Sequence, residues 1–269
     1  MGEVCTHPSH RRRGLSQALL EDQIANMERL GTTVVVSLLH AAPELAGFYG
    51  RYGYRSRVSR WSIVTIDLSR LPVGEEPCCP YRIRFASFPS DTDRLLSLHR
   101  VYSERRFAGC IVRSREYWND YVSREIGSTL LCLTSTDNRV GGGGVVAWLS
   151  LRPRGSGKFQ LREFGMDGER VTTTEAMGWL LRAALDAEEG GISLNVGTAV
   201  LHLPTAVLEE IGKEGEEGPT CHFMDGNVRE ENDVGWMYRN ISDPVGQHEK
   251  GEEVFGMEEE HLIWPTDSF

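Results

Sequence analysis

The chain has no apolar run approaching the roughly 20 residues that a membrane-spanning helix needs, and no apolar segment follows the arginines near its N-terminus as one would in a signal peptide. CxxC and HxxxH spacings are absent. The six cysteines (Cys5, Cys78, Cys79, Cys110, Cys132, Cys221) are scattered, so neither a disulfide framework nor a metal site is expected. Positive charge is also outnumbered, with 29 Lys and Arg against 39 Asp and Glu. A formal net charge of −10 argues against a general affinity for phosphate backbones. These absences lead us to expect a soluble cytoplasmic protein with reduced thiols and no metal, membrane or nucleic-acid partner. Hydrophobic residues at 40% and charged residues at 25% describe a folded chain, and 269 residues leave room for two domains.

Charge is unevenly placed. The first 60 residues are net basic, whereas Glu209–Glu260 is strongly acidic. Within the basic part, Val4-Cys5-Thr6-His7-Pro8-Ser9-His10-Arg11-Arg12-Arg13-Gly14-Leu15-Ser16 reads as a short strand, a glycine-bearing basic loop and a helix start. Such a loop aims backbone N–H groups, a helix N-terminus and arginines at one point, which suits a phosphate or pyrophosphate. The alternative reading of Arg11–Arg13 is a solvated charged turn.

Further along, Leu15–Leu30 has helical spacing, with Leu15, Leu19, Leu20, Ile24 and Met27 able to share a face, and Gly31 stands where a C-cap would. Thr32–Leu39 is β-branched and apolar, the pattern of a buried strand. Pro43 opens a short helix through Tyr49, and Arg57–Leu68 reads as one strand. Strand, helix, strand, helix, strand is an α/β arrangement. Residues 71–80, with prolines, a glycine and two glutamates, read as a linker between residues 1–70 and a second domain over 81–241, with a tail over 242–269.

In that second part, strands are expected at Tyr81–Phe85, Leu130–Leu133, Val145–Leu151, Lys158–Phe164 and Ile192–Leu201, with helices at Asp91–Phe107 and Arg115–Arg124. A further helix starts at Thr172, which has capping-box spacing to Glu175. Gly141–Gly144 suit a hairpin better than a phosphate loop, because strand-like sequence follows them. Residues 212–232 read as loop, and Trp236–Ile241 as a last strand.

Two of these segments, taken in order, carry a family resemblance. Arg11-Arg12-Arg13-Gly14-Leu15-Ser16 resembles motif A of the GNAT superfamily of N-acetyltransferases, and Phe48-Tyr49-Gly50-Arg51-Tyr52-Gly53-Tyr54 looks like that superfamily's FYxxxGF motif. The nearest likeness is to the enhanced-intracellular-survival type, a tandem-domain acetyltransferase. The fungal lysine N-acetyltransferase-like group shares that layout. The resemblance implies an α/β (α+β) fold of tandem GNAT-like domains, each a mixed, mostly antiparallel sheet flanked by helices. It also implies a second domain that is degenerate: Gly165–Arg170 is acidic where the cofactor loop would be.

What the resemblance implies chemically is transfer of an acetyl group from acetyl-CoA to a primary amine. Backbone amides of Arg11, Arg12, Arg13, Gly14, Leu15 and Ser16 would hold the pyrophosphate, and Val4, Cys5 and Thr6 would pair with the pantetheine arm. Tyr49 would protonate the leaving thiolate, and the C-terminal carboxylate of Phe269 would accept the amine's proton, with Glu3 the next choice. The acceptor would be a small-molecule or lysine amine, and an oligomer is compatible with the sequence. Two departures stand out: Ala42 replaces an asparagine common in the family, and the strands that precede motif A are missing, which leads us to expect an N-terminally truncated domain with an exposed apolar edge. A CoA-binding protein without catalysis is the alternative function.

Overall fold

Two long runs of buried residues set the architecture. Val145–Pro153 and Lys158–Met166 are buried along most of their length, as strands in the middle of a sheet covered on both faces must be. The computed structural model describes residues 6–30, 36–72, 80–107, 110–136, 144–188, 197–214, 223–224, 227–241 and 264–265. In chain order the strands are β1 (Val36–His40), β2 (Arg55–Ser59), β3 (Trp61–Asp67), β4 (Tyr81–Phe85), β5 (Leu131–Ser135), β6 (Val145–Pro153), β7 (Lys158–Met166), β8 (Thr198–Pro204), β9 (Arg229–Glu230) and β10 (Asp233–Asn240). The helices are α1 (Leu15–Arg29), α2 (Ala46–Gly50), α3 (Thr92–His99), α4 (Arg115–Tyr117), α5 (Ser123–Ile126), α6 (Thr173–Glu188) and α7 (Thr205–Glu214).

The chain folds into two units that are discontinuous in sequence. Among the described residues, those within 6–59 and 233–241 form the first, and those within 60–232 together with 264–265 form the second. The second unit holds a seven-stranded sheet in the order β4-β5-β6-β7-β8-β3-β9. All its pairings are antiparallel except β7 with β8, which run parallel through Lys158–Gln160 and Val200–His202. Side-chain alternation sends Leu131 and Leu133 to the face covered by Met177, Leu180 and Leu181 of α6. Cys132 and Trp148 face the other way, onto Leu95, Trp118, Val122 and Ile126. Thr172 caps α6 as expected, its Oγ1 accepting the Glu175 N–H at 3.2 Å.

The first unit is a three-stranded antiparallel sheet in the order β1-β10-β2. Leu20 and Ile24 of α1 pack on Met237 and Tyr54, joined by Leu39, Phe48, Tyr49 and Tyr52. Three expectations are corrected. Arg57–Leu68 is not one strand: it breaks at Arg60, so that β2 and β3 enter different sheets. Arg60 points its guanidinium at Glu209 (3.4 Å) and Glu230 (3.6 Å), while Ser59 and Trp61 on either side are buried. The strand expected at Trp236–Ile241 exists, but it lies in the first unit's sheet, between β1 and β2. Residues 205–214 form α7, and Arg229–Glu230 within the expected loop pairs with β3. The expected linker (apart from Leu71, Pro72 and Pro80), the glycine run 141–143 and most of the tail lie outside the described residues.

Candidate functional site

The basic loop is built from two left-handed residues. Pro8–His10 form one tight turn, after which Arg12 takes φ 62° and Gly14 φ 75°. Gly14 is the N-cap of α1, and no side chain among the described residues caps the helix. The first-turn N–H groups of a helix have no intrahelical partner, and the first turn of α1 carries no acidic side chain, so its positive end is unopposed. A Cβ placed on Gly14 would meet nothing within 4 Å. The glycine therefore serves backbone conformation, not packing, and leaves the space over the helix end open. Arg11, Arg12 and Arg13 are exposed, as is Leu15. Thr6 and Ser16 join the start of the loop to the first turn of α1 by a hydroxyl–hydroxyl bond of 2.7 Å. Of the other expected cofactor positions, Val4 and Cys5 lie outside the described residues.

Tyr49 stands at the end of α2 in an aromatic group. Its ring centroid lies 5.1 Å from that of Phe48 and 6.0 Å from that of Tyr54, and Tyr54 Oη bonds Ser37 Oγ at 2.8 Å. The turn that follows explains the glycine of the FYxxxGF pattern. Tyr54 N–H reaches back to Tyr49 O and Gly53 N–H to Gly50 O, the paired bonds of a helix ending on a left-handed residue. Gly53 has φ 79°. Arg239 of β10 fastens this turn, donating to Tyr52 O and to Glu28 Oε1 of α1. Phe269, the expected proton acceptor, lies outside the described residues, as does Glu3.

The structure brings together one constellation that sequence reasoning missed. His40, the last residue of β1, sets Nε2 3.0 Å from both carboxylate oxygens of Asp233. Asp233 also accepts the Gly235 N–H at 2.9 Å and is held by the Trp236 side chain. The indole of Trp236 meets the imidazole edge to face at 4.9 Å. The hydrogen bond to Asp233 raises the His40 pKa above its ordinary value against an opposing effect of partial burial. Burial opposes ionisation of Asp233, but the bonds from His40 and Gly235 outweigh it and hold that carboxyl below the usual range. An irregularity in the β10–β2 register between Asp233 and Trp236 aims Asp233 at His40.

In the second unit, the turn before α6 is filled by its own polar contacts. Asp167 pairs with Arg94 at 2.8 Å and Arg170 at 3.5 Å, and accepts the Glu169 N–H. Among the described residues no three His, Cys, Asp or Glu side chains gather as a metal-holding group, and no helix is long and apolar enough to cross a membrane.

A family model described as an acetyltransferase (GNAT) domain matches residues 1–57. No curated protein matches the chain. Among solved structures, a conserved protein of unknown function from Enterococcus faecalis V583 is similar over 89% of this chain and 53% of its own, at 17% identity and TM-score 0.57. A GCN5-related N-acetyltransferase from Anabaena variabilis matches over 88% of this chain and 53% of its own (12% identity, TM-score 0.56). Another, from Kribbella flavida, matches over 90% and 52% (18% identity, TM-score 0.53). The chain thus spans about half the length of these structures. Its fold is the mixed, largely antiparallel α+β architecture of the GCN5-related N-acetyltransferases.

Proposed function

We propose that this chain transfers an acetyl group from acetyl-CoA to a primary amine. The observation that carries this reading is the opening loop, where Arg12 and Gly14 turn left-handed to expose an uncapped helix N-terminus flanked by three arginines. That arrangement fits a pyrophosphate. The amides of residues 11–16 would bind it, with Val4, Cys5 and Thr6 along the pantetheine arm. Bound acetyl-CoA supplies an activated thioester. The residues of this chain hold it, position the amine and move two protons. Tyr49 is the acid for the departing sulfur, and the family resemblance offers the Phe269 carboxylate as one candidate for the proton acceptor.

The acceptor is a small-molecule or lysine amine. The chain's net charge of −10 suits a cationic amine, and the closed turn around Asp167 favours a single cofactor site, in the first unit. The test is calorimetric titration with acetyl-CoA, followed by a thiol assay of CoA release with lysine, spermidine and an aminoglycoside. Saturable binding with amine-dependent release is expected. Binding without release by any amine would leave a CoA-binding protein, and no binding would overturn the reading altogether.

A further inference from the structure

The His40–Asp233 pair is half-exposed, with side chains 39% and 37% accessible, yet it is built with more constraint than a surface ion pair. Asp233 is held from three sides, by His40, by the Gly235 backbone and by Trp236. Gly235 makes room for the ring: a Cβ there would lie 2.6 Å from His40 Nε2 and 2.7 Å from Ala41 O. Because Nε2 faces the carboxylate, it carries the proton, and Nδ1 is left as an acceptor. This is the logic by which a buried or half-buried carboxylate orients an imidazole for proton transfer.

Position supports the same role. β1 is the edge strand of its sheet, with β10 on one side and no partner strand on the other among the described residues. Leu39 packs on the α1 side of the sheet with Tyr49. His40, its neighbour on the strand, therefore projects from the opposite face, against Trp236. A thioester lying along that edge of β1 would have Tyr49 toward one face of the sheet and His40 toward the other.

We propose that His40, oriented by Asp233, and not the Phe269 carboxylate, takes the proton from the attacking amine. The inference rests on the acetyl-transfer reading. In the step, the nitrogen lone pair forms the C–N bond to the acetyl carbon as the C–S bond breaks. One proton passes from nitrogen to His40 Nδ1, and one from Tyr49 to sulfur. The products are the amide and CoA thiol. Both residues then re-equilibrate with water. The charged group facing His40 from β10 is Asp233, and beyond it Arg57 of β2 lies in register with Trp236.

The experiment compares wild type, His40→Gln, Asp233→Asn and a chain lacking Phe269. Each is measured for CoA release across pH 5.5–9 and for acetyl-CoA affinity. Glutamine at 40 keeps an N–H for Asp233, so folding is preserved. His40→Gln is expected to lower kcat by about 10²-fold with acetyl-CoA affinity unchanged, to abolish the acidic limb of the kcat/KM profile, and to be partly rescued by added imidazole. Asp233→Asn should move that limb to lower pH. Turnover by His40→Gln within twofold of wild type overturns the proposal. So does loss of turnover on removing Phe269 with the acidic limb of His40→Gln intact. A wild-type chain that binds acetyl-CoA and releases nothing instead overturns the transfer reading itself, and this role with it.

Discussion

Acidification should weaken the second unit through one residue, His99. Its side chain is fully buried at the end of α3, where Nε2 meets the Ile111 carbonyl at 3.2 Å and the ring stacks edge to face on Trp118. Nδ1 has no hydrogen-bond partner among the described residues. Glu163 Oε1 lies 3.9 Å from Nδ1, but that carboxylate is already engaged by both terminal nitrogens of the buried Arg113, at 3.1 and 3.0 Å. Burial, with the Arg113 charge adding to it, pushes the His99 pKa down to about 3. The unfolded chain takes up a proton near its ordinary value of 6.5, whereas the folded chain does not. The stability His99 contributes is therefore complete above pH 6.5 and is lost as pH falls toward 3. By proton linkage the loss is about 2 kcal/mol at pH 5, growing by about 1.4 kcal/mol for each further pH unit.

The assay is urea unfolding followed by tryptophan fluorescence, which favours this unit because Trp61, Trp118, Trp148, Trp179 and Trp264 all lie in it. Carboxylates elsewhere also lose stability in acid, so the informative quantity is the difference from His99→Gln. That variant keeps an N–H for Ile111 and has no proton to gain. Wild type should lose about 2 kcal/mol more than the variant between pH 7.5 and 5. Parallel pH profiles would refute the assignment of a neutral, proton-resisting imidazole at this position.

Three other outcomes are expected. Tyr49→Phe should lower kcat about 10²-fold with little change in acetyl-CoA affinity, since it removes a proton donor and not a binding group; calorimetry and CoA-release kinetics separate the two. Gly14→Val should weaken acetyl-CoA binding about tenfold, because a side chain held at φ 75° costs about 1–2 kcal/mol that only the loop's present shape demands. Trp264→Ala should lower the melting temperature of the second unit through a loss of about 3–5 kcal/mol. Its indole is fully buried and donates to Ser103 Oγ at 3.1 Å, so an unchanged melt would mean that this segment does not hold the unit together.

What could be read from the sequence was local. α1, α6 with its Thr172 cap, and the paired strands β6 and β7 announce themselves by spacing and end signals within a dozen or so residues. The turn after Tyr49 did so as well, because a left-handed closing residue leaves glycine as its signature. The break at Arg60 was invisible, since alternation continues through it and only the glutamates at 209 and 230 show why the chain departs. α7 did leave a signal, the i, i+4 pair Val207 and Ile211 after Thr205, in a stretch too short to outweigh the acidic, glycine-rich sequence that follows. The His40–Asp233 pair left none: its members are 193 residues apart, and neither has a local pattern.

That separation bears on how the first unit works. β10 lies between β1 and β2, so each of those two strands gains its ladder to β10 only when residues 233–240 arrive. The same strand brings Arg239, which ties the Gly53 turn to α1, and Asp233, which orients His40. It also brings Met237, which with Leu20, Ile24 and Tyr54 makes up the buried small core beneath α1. The region that matches the acetyltransferase domain model, residues 1–57, thus contains the loop and Tyr49 but not what holds them in register. Hydrogen bonding and packing both complete the first unit's sheet only with residues 233–240, after the chain has passed through residues 60–232.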